Sequence, residues 1–201
     1  MLLGGAAVVG WGLAGTGIIL YVQSDLERSA LQAQKEREQE DQNKQWEAAE
    51  YAKLDDSSSL YAFLDFIWSR NVEVRQQSQE KVNRFPELDE NLIKLFDLDS
   101  KGAISYIAKL YENPPATLAP AWGRMLERQL KKWSSLQYDE HAGIWENNLK
   151  PYFLGAQKIQ LAGGSLHTEL LSWYTYLQKC KGLGNLAAFV KNLLETQAKS
   201  K

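Results

Sequence analysis

The feature that most constrains this chain is a run of 21 residues, Leu2 to Val22, without one charged side chain. At about 1.5 Å per residue such a run, if helical, spans roughly 30 Å, the thickness of a bilayer's hydrocarbon core. Three readings compete for GGAAVVGWGLAGTGIILYV (residues 4–22): a retained anchor, a cleavable signal, or a buried helix of an ordinary core. A signal needs a basic segment ahead of the apolar one, and Met1-Leu2-Leu3 supplies none. A soluble core helix seldom runs so long without a charge. The leading expectation is a single transmembrane helix over residues 1–22, with Ala6, Gly10 and Ala14 four apart on one face. That small-residue spacing lets two membrane helices approach closely. Tyr21 stands at the exit, where interfacial aromatics are favoured.

Arg28, Lys35 and Arg37 follow the run and no Lys or Arg precedes it. The positive-inside rule then places the remainder of the chain on the cytoplasmic or matrix side. Short anchors of this layout resemble those of respiratory-complex accessory proteins, which implies a mitochondrial membrane ahead of a bacterial inner membrane.

Residues 23–54 are strong helix formers without Gly or Pro. Their apolar positions (Leu26, Leu31, Trp46, Tyr51) hold no heptad, so a polar helical stalk is expected rather than a coiled coil. As a helix, the stalk would be roughly 40 Å long; the alternative is a charged linker. Residues 23–50 carry four Lys/Arg against eight Asp/Glu, whereas residues 150–201 carry seven Lys against two Glu, so the two ends differ in sign. The net charge of -2 argues against a nucleic-acid binder.

Beyond LDDSSSL (54–60) the chain reads as all-α, about eight short helices forming a domain over 55–198, with residues 199–201 as a tail. Apolar residues recur at helical spacing in 60–69, and again as Trp122, Met125, Leu126, Leu130 and Trp133. Pro86, Pro114-Pro115 and Gly163-Gly164 punctuate the pattern, and Pro151 is read as separating helices 139–150 and 151–162. LYAFLDFIWSRNVEVRQQSQEKV, an apolar helix, a short turn and a second helix opened by Val74-Arg75, resembles a HEAT or armadillo helical hairpin. Residues 89–113 resemble a second copy. The resemblance implies hairpins stacked in a solenoid-like way.

Candidate chemistry is sparse. DLDSKGAISYIA (97–108) resembles an EF-hand loop at Asp97, Asp99, Gly102 and Ile104. Lys101 and Ala108 stand where calcium ligands belong, so a calcium sensor is a lesser alternative. His141, His167 and Cys180 are the only His and Cys, with no zinc spacing, and they define a rival reading as a membrane-tethered enzyme. One cysteine also excludes an internal disulfide. Arg124, Arg128, Lys131 and Lys132 share a side of one helix and form a candidate surface for a partner or anionic lipid. No cofactor is implied. The composite expectation is a non-catalytic, membrane-anchored scaffold, an accessory or assembly subunit contacting other membrane subunits and the bilayer.

Overall fold

The computed structural model describes the backbone of residues 5–135 and 142–199, and the side chains of residues 28–135 and 146–196. All regular secondary structure among the described residues is helical, without a strand, as the sequence pattern predicts. The chain divides into two units, Met1–Glu50 and Tyr51–Lys201.

The first unit is carried by α1, Gly5–Tyr51, 47 residues without a break. Residues 5–22 of the uncharged run continue without a break into the polar stalk, in one helix about 70 Å long. Every residue from 28 to 43 is exposed, including Leu31, so this stretch has no buried face. Side-chain pairs four apart stabilise it instead: Lys44 with Glu40 at 2.8 Å, and the Gln34 amide donating to Glu38 at 2.8 Å. The Glu40 hydrogen bond raises the Lys44 ammonium's pKa. Among the described residues no helix is long and apolar enough to cross a membrane. The side chains of the uncharged run, with Ala6, Gly10 and Ala14, lie outside the described residues.

The second unit is a series of helical hairpins. α2 (Leu60–Leu64) pairs with α3 (Val72–Asn83), and α4 (Leu88–Asp97) with α5 (Lys101–Lys109). α6 (Ala119–Ser134) pairs with α7 (Ala142–Leu161), and α8 (His167–Leu177) with α9 (Gly184–Lys199). Successive hairpins stack through their first helices, α2 on α4, α4 on α6, α6 on α8, and through their second, α5 on α7 and α7 on α9. Hairpin stacking thus continues past residue 114, where the sequence repeat is no longer visible.

Local chemistry sets the helix ends. Ser59, Asn71 and Ser100 accept hydrogen bonds from the first-turn amides of α2, α3 and α5. α2 stops at Leu64 rather than running to residue 69, because turns close over residues 65–69 and side chains of α3 take the freed carbonyls. The buried Ser78 hydroxyl donates to Phe63 O, Gln79 to Ile67 O and Arg75 to Ser69 O.

Pro151 does not divide two helices; α7 passes through it. A proline inside a helix costs about 3 kcal/mol. Leu149, Tyr152, Phe153, Ala156 and Ile159 line one buried face on both sides of it, and their burial outweighs that cost.

The core closes around Trp122, fully buried, whose indole N–H donates to Tyr152 O at 3.1 Å. The α7 backbone at Gly155 lies against the indole, so an added methyl there would collide with its ring carbons. Gly155→Ala is expected to lower stability by about 1–3 kcal/mol despite alanine's better helix propensity. Gly184→Ala, with open space around it, should stay within about 0.5 kcal/mol. Urea midpoints of the two variants check this, and equal midpoints would contradict the packing.

Burial sets the alkaline limit as well. It pushes the Tyr152 phenol up to about 12, as it does Tyr111, where a hydrogen bond to Asp89 adds to it; Tyr106 is raised too, also chiefly by burial. Unfolded tyrosines ionise near 10. The unfolded state therefore loses these protons first, and this contribution, complete below pH ~10, is lost as pH climbs toward about 12. The urea midpoint should fall between pH 9.5 and 11.5 (values chosen to bracket about 10), and the triple Tyr→Phe variant should fall less.

Candidate functional site

Helix α6 carries the cationic face singled out from the sequence. Its inner side buries Trp122, Met125 and Leu126 together with Gln129. On the other side the four cations divide into two pairs. Arg124 reaches both carboxylate oxygens of Asp97, at 3.3 and 3.2 Å from Nη2. Arg128 donates from Nη2 to Asp99 Oδ1 at 3.0 Å and to the Phe96 carbonyl, and from Nη1 to Asp97 at 3.5 Å. These two arginines clamp the turn between α4 and α5 and are not the free surface the pattern suggests. Lys131 and Lys132 remain exposed, and neither pairs with a carboxylate among the described residues.

The same turn is the supposed calcium loop. α5 begins at Lys101, so residues 101–108 are helix where an EF-hand would continue as loop. Asp99 adopts φ 54, a left-handed conformation that aspartate tolerates better than most residues. Both carboxylates at the leading loop positions face guanidinium groups. Among the described residues no group of three or more His, Cys, Asp or Glu side chains is placed to hold a metal ion.

The residues of the enzyme reading do not converge. His167 opens α8 and is exposed, while Cys180 follows its end, 13 residues on and about 20 Å away along the helix direction. The half-buried Cys180 thiol lies 3.5 Å from the Tyr176 carbonyl, one turn back, and serves as local packing. His141 lies outside the described residues.

Sequence reading missed a cleft of about 690 Å³ in the first hairpin, within the size range of ligand-binding cavities. Tyr51, Leu54, Phe63, Phe85 and Pro86 give it an apolar lining. Tyr51 meets Phe66 edge-on at 5.5 Å and Phe63 at 6.3 Å, and Phe63 meets Phe85 at 6.2 Å. Gln77, Glu80 and Arg84 stand on the rim, with Lys81 ion-paired to Asp56. Asp55 accepts from the Ser57 hydroxyl and amide and from Ser58, which holds its carboxyl below the usual range. The only sequence signal was Phe85-Pro86 directly after a helix end.

The arginine clamp separates the two kinds of cation experimentally. Arg128→Ala should cost about 1–2 kcal/mol, because it strips charged hydrogen bonds from a carboxylate and a helix-terminal carbonyl. Lys131→Ala and Lys132→Ala should each stay within about 0.5 kcal/mol. Chemical denaturation of the three variants decides, and an equal loss in all three would refute the division.

Compared with known proteins, the chain matches no family model, no curated protein and no solved structure.

Proposed function

We propose that this protein is a membrane-anchored, non-catalytic helical adaptor, an accessory or assembly subunit of a membrane complex. The observation that carries the reading is α1. A helix exposed on every side from residue 28 to 43 has no face to bury within its own unit, and a polar helix of that kind serves as a spacer. The same unbroken helix contains residues 5–22 of the uncharged run, a run whose length of 21 residues suits a bilayer. In this reading Ala6, Gly10 and Ala14 pack against the membrane helix of a partner, and Arg28, Lys35 and Arg37 keep the second unit on the cytoplasmic or matrix side.

The hairpin stack supports the adaptor half of the proposal. Stacked helical hairpins build extended surfaces suited to protein contacts, an argument from architecture alone. The cleft in the first hairpin offers an apolar seat for one side chain of a partner, between Phe85 and Tyr51. His167 and Cys180, held apart by the length of α8, lend no support to the enzyme alternative.

Membranes from cells expressing the chain test the reading. The full chain should stay with the bilayer through alkaline carbonate extraction, and a variant lacking residues 2–22 should be released. After mild detergent extraction the chain should migrate in a particle well above its own 22.8 kDa plus detergent. Release of the full chain by carbonate would overturn the anchor, and a monomeric particle would overturn the adaptor role.

A further inference from the structure

The lysines left over by the arginine clamp have company. Tyr176 of α8 donates its hydroxyl to the Trp133 carbonyl at the end of α6, at 3.0 Å. That bond sets the C-terminal ends of α6 and α8 side by side. Lys131 and Lys132 lie two residues and one residue before Trp133, and Lys179 and Lys181 lie three and five residues after Tyr176. All four are exposed, and among the described residues none pairs with a carboxylate. The nearest acid on α6 is Glu127, one turn earlier, and it reaches neither lysine as an ion pair. Trp133 and Tyr176, both half-buried, belong to the same two helix ends. Nothing in the spacing of 131, 132, 179 and 181 along the sequence announces this juxtaposition; the α6–α8 packing creates it.

We infer that this end of the second unit docks on a bilayer surface of anionic lipid headgroups. The choice of lipid over an acidic protein segment follows from how α6 distributes its cations. Its arginines, whose planar fork suits paired carboxylate oxygens, are spent on Asp97 and Asp99. What faces water is lysine, a compact and strongly hydrated point charge on a flexible stem, suited to a diffuse negative surface without fixed geometry. Partly exposed tryptophan and tyrosine rings beside lysines are the combination favoured at the membrane–water interface. Each lysine brought near an anionic bilayer strengthens attachment by roughly five-fold, and the attraction fades within a Debye length of about 10 Å. The inference takes its membrane setting from the proposed function, but the surface itself does not depend on the anchor.

Cys180, the only cysteine, lies between Lys179 and Lys181 and reports on the surface directly. The full chain is mixed with vesicles of phosphatidylcholine alone, or with about a third phosphatidylserine, an anionic surface of the required kind. Two quantities are read: flotation with the vesicles, and the rate at which a water-soluble maleimide modifies Cys180. Modification should slow at least five-fold on the anionic vesicles relative to the neutral ones. The protection should vanish in roughly 0.5 M salt, where screening is strong, and in the variant Lys131→Glu, Lys132→Glu, Lys179→Glu, whose helical circular dichroism must match the parent. Equal rates on both vesicles overturn the inference. Protection by soluble polyglutamate without protection by anionic vesicles also overturns it, in favour of an acidic protein partner. Failure to float with neutral vesicles counts against the anchor alone, because protection on anionic vesicles is read separately.

Discussion

The second unit depends on the placement of one side chain, Trp122. Its indole N–H is satisfied by the Tyr152 carbonyl of α7, and its ring meets Phe96 of α4 edge-on at 5.0 Å. The α7 backbone comes close enough to the ring that only glycine fits at position 155, where Ile107 of α5 also touches. Four helices of two neighbouring hairpins are thereby fixed around one ring. Trp173 repeats the device one hairpin on, donating to the Leu126 carbonyl of α6 at 2.9 Å and meeting Phe153 edge-on at 5.3 Å. Each buried indole binds a carbonyl of a neighbouring helix, so a large apolar surface is gained without an orphaned donor.

This packing explains the disposition of charge. With α4 and α6 held together through Phe96 and Trp122, Arg124 and Arg128 come within reach of the turn that ends α4. Arg128 serves the terminal carbonyl of Phe96 as well as Asp99, so it fastens a helix end and an aspartate in left-handed conformation together. The lysines one turn further on pair with no carboxylate among the described residues. α8, tied to α6 by Trp173 and Tyr176, brings more lysines to the same end. Helices packed for apolar reasons thus sort four cations of one helix into two structural and two exposed.

What was legible in the sequence was whatever depends on near neighbours. The period of Trp122, Met125 and Leu126 located α6, and LDDSSSL (54–60) marked the break between α1 and α2. Pro151 misled because its local cost is real, while the burial that offsets it is contributed by other helices. Arg124 and Arg128 read as a solvated face because their partners lie 27 to 32 residues away. The cleft was invisible for the same reason, being assembled from residues 51–56, Phe63 and residues 77–86. The helical stalk was legible because residues 23–51 are strong helix formers without Gly or Pro, a local property that α1 follows.

The proposed function requires α1 to be one helix with two solvents, lipid around its uncharged part and water around its polar part. Nitroxide labels placed one at a time at Gly10, Ala14 and Ile18, and at Ala30, Gln34 and Glu38, test it in vesicles with Cys180 replaced by serine. Their collision rates with molecular oxygen, which concentrates in lipid, and with a water-soluble nickel chelate report the surroundings of each position. The account predicts oxygen-dominated relaxation at the first three sites and nickel-dominated relaxation at the last three. Nickel access at all six sites alike would contradict it.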